Sequence, residues 1–184
     1  ANLYDIKQTP TYSMRTLAYH EATPGHHHQI AHSLENEDLT LYRRFGYGTS
    51  AFSEGWALYA ERLALEVGLA ENPYDELGIL QSELFRSVRL VVDTGMHYKR
   101  WTREEAMDYM KSITGMSDTE VRVEIERYIV WPGQALSYKV GMIKMLELRE
   151  KAKQELGDQF NIKDFHSAVL DHGNPPLFIV EKMV

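Results

Sequence analysis

The chain has 184 residues, 43% of them hydrophobic and 26% charged, which suits one globular unit with a sizeable core and would leave two separate domains cramped. Its 20 basic and 27 acidic residues give a net charge of -7 with no long Lys or Arg cluster, which excludes nucleic acid as a partner. Zero cysteines exclude disulfides and thiolate metal sites, so any metal must be held by His, Glu or Asp.

The chain opens Ala1-Asn2-Leu3-Tyr4-Asp5, with no Met and without the basic then apolar layout of a signal peptide, and no later run approaches the roughly 18 apolar residues of a membrane span. We expect a piece of something longer. Helices are predicted near 12–34, 50–69, 73–99, 103–114, 118–130, 133–156, 162–171 and 175–183, because apolar residues recur at a period near 3.6 and sustained period-two alternation is absent. N-caps punctuate the series: Asn72-Pro73 with Asp75 behind it, Thr102 with Glu105, Ser117 with Glu120, Asn161 with Asp164, and Asn174 before Pro175.

The first predicted helix carries His20-Glu21-Ala22-Thr23-Pro24-Gly25-His26-His27-His28. A catalytic zinc takes three protein ligands and leaves a fourth position for water, and its common helical motif, H-E-x-x-H, sets two His one turn apart. Here position 24, one turn after His20, is proline, so the second imidazole must come from His26 or His27. On a regular helix of about 100° per residue His27 returns to within roughly 20° of His20 and His26 lies about 120° away. A kink at Pro24-Gly25 could equally swing His26 inward, and spacing alone leaves both open. Glu21, beside His20, is placed to act as general base near a metal-activated water.

The second helix carries Ser53-Glu54-Gly55-Trp56-Ala57-Leu58-Tyr59. Gly46 and Gly48 allow the chain to turn before it, and an antiparallel helix brings Glu54 back as third ligand. An unpaired carboxylate on that apolar helix would be costly, and a dication removes the cost. Farther on, Arg86, Arg89, Asp93 and His97 form a polar stripe in which Asp93 or His97 can support a metal ligand and an Arg can meet a peptide carboxylate. Tyr138 is the candidate donor to the oxyanion of a tetrahedral intermediate, with His166 as a second donor.

The motif H-E-A-x-P-G-H-H, the later E-G-W-A-x-Y, Asp93-Thr94-Gly95-Met96-His97, the segment from Pro132 to Gly141 and the Phe165-His166 pair resemble the bacterial family called domain of unknown function 885. The resemblance runs nearly end to end. It implies kinship with helical zinc peptidases, in which a Glu after the H-E helix is third ligand, and a whole protein much longer than this chain, with this part C-terminal. Aligned with those relatives, Gly25-His26 matches the G-H that closes their H-E-x-G-H, which favours His26 over His27. Export or lipoprotein signals in the family imply the cell envelope.

The expectation is therefore a mostly α, multi-helix, zincin-like domain over 1–184, with the metal site between two adjacent helices. One zinc ion is held by His20, His26 and Glu54, and Glu21, Tyr138 and His166 serve the cleavage of a peptide or small amide. The N-terminal remainder of the same protein is expected to pack on this domain. Two alternatives are a non-catalytic metal- or peptide-binding module and a carboxylate-bridged di-iron bundle. The second expects Glu-x-x-His twice, and no His in this chain has a Glu three residues before it.

Overall fold

The computed structural model describes residues 10–46 and 48–184. The opening segment from Ala1 to Asp5 lies outside them. Among the described residues the structure is mostly helical and contains no strand. Its helices are α1 (Met14–Glu21), α2 (His26–Glu35), α3 (Leu41–Phe45), α4 (Ser50–Glu66), α5 (Pro73–His97), α6 (Arg103–Thr114), α7 (Asp118–Val130), α8 (Ser137–Leu156), α9 (Ile162–Leu170) and α10 (Leu177–Met183).

Local chemistry explains most of the starts. The Thr102 and Ser117 side chains accept from the Glu105 and Glu120 backbone N–H groups, and those two carboxylates accept the N-cap N–H in return, so α6 and α7 each open on a complete capping box. Asn72 accepts from Tyr74 and Asp75 with Pro73 as the first residue of α5, and Asn161 caps α9 by accepting from Lys163. Asn174 does not cap: α10 begins later, behind Pro176.

The predicted helix over 12–34 is corrected to two. Helix α1 ends at Glu21 and α2 begins at His26, with Ala22 to Gly25 non-helical between them. Pro24 has no N–H to continue the ladder, and Gly25 packs so close to α1 that a Cβ there would stand 1.8 Å from the His20 carbonyl oxygen. The expected kink is thus a full break, and the candidate site draws on three helices, not two.

Two buried clusters make the core. The first joins Phe52, Trp56, Leu58 and Tyr59 of α4 to Met142, Met145 and Leu148 of α8 and to residues of α9 and α10; the second joins Val88 and Val92 of α5 to α6 and α7 through Met110, Val121, Ile125 and Tyr128. Each fully buried side chain of this size contributes about 1.5–3 kcal/mol. Helix α4 is buried without a break from Gly55 to Glu61 and packs on α1, α2, α5 and α8. Its approach to α8 is close: a Cβ on Gly55 would lie 2.4 Å from the Gly141 Cα, and one on Gly141 would lie 1.9 Å from the Ala51 carbonyl oxygen. Only glycines allow backbones to meet this way. One apolar stripe stays outside: Leu77, Leu80, Leu84 and Val91 of α5 are all exposed.

Candidate metal centre

Each element delivers one donor. His20 sits in the last turn of α1 and is buried, His26 is the first residue of α2, and Glu54 lies in the second turn of α4. One ligand atom from each lies within 4.8 Å of the others. The Glu54 Oε2 stands 3.6 Å from the His20 Nε2 and 3.2 Å from the His26 Nε2, and the two imidazoles meet edge to face with centroids 4.8 Å apart. His27 and His28 are exposed and outside this group.

These separations can be compared with what a metal requires. Tetrahedral ligands at zinc's usual distance of about 2.1 Å lie about 3.4 Å from one another. The two distances to Glu54 bracket that value. Nitrogen, nitrogen and carboxylate oxygen are also a donor set that zinc accepts, so the residues fit the ion.

A second carboxylate, not anticipated from the sequence, completes the arrangement. Glu61, only 1% exposed, sets its Oε1 2.6 Å from the His20 Nδ1. It lies seven residues after Glu54, two turns and roughly 10 Å along α4, so the two acids hold opposite nitrogens of one imidazole. With Nδ1 held against Glu61, Nε2 is the His20 nitrogen that faces Glu54 and His26 and would be the one to hold a cation there. The signal was a Glu at a two-turn interval from Glu54 on an otherwise apolar helix.

The electrostatics follow from these contacts. Burial works to raise the Glu54 carboxyl, but the neighbouring His20 and His26 imidazoles outweigh it and hold the group at about 2. Burial likewise opposes charge on His20, yet Glu54 and Glu61 outweigh it and raise its pKa. A carboxylate ionised at any physiological pH, flanked by two imidazoles, is ready to receive a cation.

The remaining sequence candidates are placed as follows. Glu21 is exposed at the end of α1, adjacent in sequence to His20. Tyr138 stacks on His20, with centroids 6.1 Å apart and planes at 20°, and Arg89 covers its ring at 4.7 Å. His166 is not in the cluster: its Nε2 is 2.8 Å from the Tyr59 hydroxyl, and burial together with the Arg149 and His28 charges lowers its pKa to about 4. Asp93 and His97 serve the scaffold instead. Asp93 accepts from the Gly133 N–H and His97 bonds the Tyr128 carbonyl, tying α5 to the end of α7.

Over residues 1–184 the sequence matches the family described as bacterial protein of unknown function, DUF885. The chain belongs to this family. No curated protein matches it. Two solved structures are similar to this DUF885 chain. The first, described as "the putative lipoprotein from Colwellia psychrerythraea", shares 53% identity at a TM-score of 0.94 and is matched over 99% of this chain and 31% of its own. The second, described as "a putative lipoprotein of unknown function from Shewanella oneidensis", shares 29% identity at a TM-score of 0.88, over 96% of this chain and 32% of its own. The chain thus spans about a third of the length of either. Among the described residues no helix is long and apolar enough to cross a membrane.

Proposed function

We propose that this DUF885 chain carries the metal centre of a zincin-like, zinc-dependent peptidase or amidohydrolase, with His20, His26 and Glu54 as ligands of one ion. The observation that supports it most is that Glu54 Oε2 stands 3.6 Å from the His20 Nε2 and 3.2 Å from the His26 Nε2, close to the spacing of two ligands on one zinc. When bound, zinc supplies Lewis-acid activation of water and of the scissile carbonyl at neutral pH. Glu61 orients His20 so that Nε2 faces the ion. Glu21, next to His20 and open to solvent, takes the proton of the attacking water and passes it to the leaving amine. Of the two donors read from the sequence, Tyr138 is the one beside the cluster and meets the developing oxyanion, while His166 already uses Nε2 on Tyr59.

The remainder of the longer protein packs on this domain, and the exposed Leu77, Leu80, Leu84 and Val91 stripe on α5 offers it an apolar face. The descriptions of the two solved relatives as lipoproteins favour the cell envelope.

The test uses the full-length protein. Elemental analysis of wild type and Glu54→Ala, joined to cleavage of a peptide library by wild type and Glu21→Gln, is expected to find one zinc in wild type and in Glu21→Gln, none in Glu54→Ala, and turnover in wild type alone. Full zinc in Glu54→Ala removes that residue from the site, and two irons per chain would favour the di-iron alternative. An uncleaved library with zinc present points to a binding module.

A further inference from the structure

A cavity of about 620 Å³ lies beside the cluster and shares His20 with it, between α1, α5 and the connection from α6 to α7. Its volume is in the range of small-ligand sites. Leu17, Phe85 and Met116 supply apolar wall, and Thr16, Glu61 and Arg86 supply polar wall.

Arg86 is the member that needs a partner. Its neighbours in space and sequence are satisfied: Arg62 pairs with Glu83 and Arg89 with Glu124. The Arg86 Nη1 donates to the Ser82 hydroxyl at 2.6 Å, its Nε is buried without any hydrogen bond, and no carboxylate among the described residues pairs with it. Burial works against its charge, while Glu61 and Glu54 act on it only through space. A guanidinium held in a cavity wall without a counter-ion is costly, and an anion entering the cavity relieves that cost.

The surroundings select the anion. Glu61 and Glu120 line the same cavity and Glu54 lies near, so a dianion such as phosphate meets repulsion that a single carboxylate meets only weakly. A planar carboxylate also matches the guanidinium fork. The apolar wall beside it suits a hydrocarbon side chain. We infer that this cavity is the subsite for the free C-terminal carboxylate of a peptide, with Arg86 as the residue that holds it and Leu17, Phe85 and Met116 receiving an apolar terminal side chain. Because His20 belongs to both the cavity wall and the metal cluster, a peptide anchored at Arg86 lies along the site that would cut it. The enzyme then removes residues from C-termini. The cleavage part of this inference rests on the peptidase reading, and the binding part does not.

The experiment separates the two. Full-length protein stripped of metal is titrated calorimetrically with glycyl-phenylalanine and with its C-terminal amide. Wild type is expected to bind the acid at least about tenfold more tightly than the amide. Arg86→Met is expected to lose that preference while keeping its thermal midpoint and its zinc uptake. Equal affinity for acid and amide in wild type overturns the inference and needs no variant to fold, and a preference that survives in Arg86→Met overturns it too. With zinc restored, longer peptides with free and amidated ends are compared for KM. Equal cleavage of both keeps the peptidase reading and removes the carboxylate subsite. No cleavage of either, with the acid preference intact, keeps the subsite and removes the peptidase reading.

Discussion

Replacing Glu61 by Gln tests how the cluster holds His20, the first of its proposed ligands. The side chain keeps its shape and an acceptor oxygen for the His20 Nδ1–H, now 2.6 Å away, but it loses its charge. It also places an amide N–H₂ where the Glu61 Oε2 is buried without a hydrogen bond. Loss of a carboxylate behind a metal-bound imidazole weakens metal binding by about 10–100-fold, or about 1.4–2.7 kcal/mol. Glu54→Ala removes a donor outright and must cost more. Zinc affinity of the full-length proteins, measured by competition with a chelator, is therefore expected to fall in the order wild type, Glu61→Gln, Glu54→Ala. Wild-type affinity in Glu61→Gln would refute the orienting role, and affinity as poor as that of Glu54→Ala would make Glu61 a ligand in its own right.

Gly141→Ala puts a methyl 1.9 Å from the Ala51 carbonyl oxygen and forces α8 away from α4, so urea denaturation is expected to show a loss of about 1–3 kcal/mol or more; an unchanged midpoint contradicts the packing described. Trp56→Phe removes the indole N–H that donates to the Pro24 carbonyl at 2.9 Å, and because Pro24 lies in the break between His20 and His26, zinc affinity is expected to drop together with roughly 1–3 kcal/mol of stability. A stability loss with unaltered zinc affinity argues against that coupling. His166 titrates at about 4 when folded against 6.5 ordinarily, so between those values the unfolded chain binds a proton that the folded chain refuses. Stability contributed by this group is therefore lost as pH falls from about 6.5 toward 4. His166→Gln is expected to flatten the difference between denaturation midpoints at pH 7 and pH 5, and parallel pH profiles for the two proteins speak against it.

The parts of this fold that could be read in advance are those fixed by neighbours in sequence. Thr102 with Glu105 and Ser117 with Glu120 form their bonds within one turn, so side-chain identity alone decides them. Helix α3 escaped notice because five residues capped by Thr40 have no room for a periodic face. The sequence points to a kink after Glu21 and not to a full break because Pro24 and Gly25 announce a disturbance without stating its size; the proximity of Gly25 to the His20 carbonyl decides it. The roles of Asp93 and His97 in the polar stripe of α5 are hidden from the sequence for a related reason. Periodicity shows that Asp93 and His97 share a face, but not that the face meets Gly133 and Tyr128 rather than the His cluster. Glu61 is hard to single out in the sequence because an acid two turns from Glu54 declares no contact with His20 until the helices are packed.

Helix α4 explains why the motif Glu54-Gly55-Trp56 is compact. Glu54 offers the carboxylate, Gly55 lets α8 approach closely enough for Tyr138, one turn before Gly141, to stack on His20, and Trp56 fastens the break that precedes His26. Two turns later Glu61 steadies His20 from the other side. Three donors on helices that could slide would give a poor site, since ligand geometry tolerates errors of only about 0.5 Å. Here every donor is referred to one buried helix, so the precision of the cluster follows from the packing of α4 and not from the loops around it.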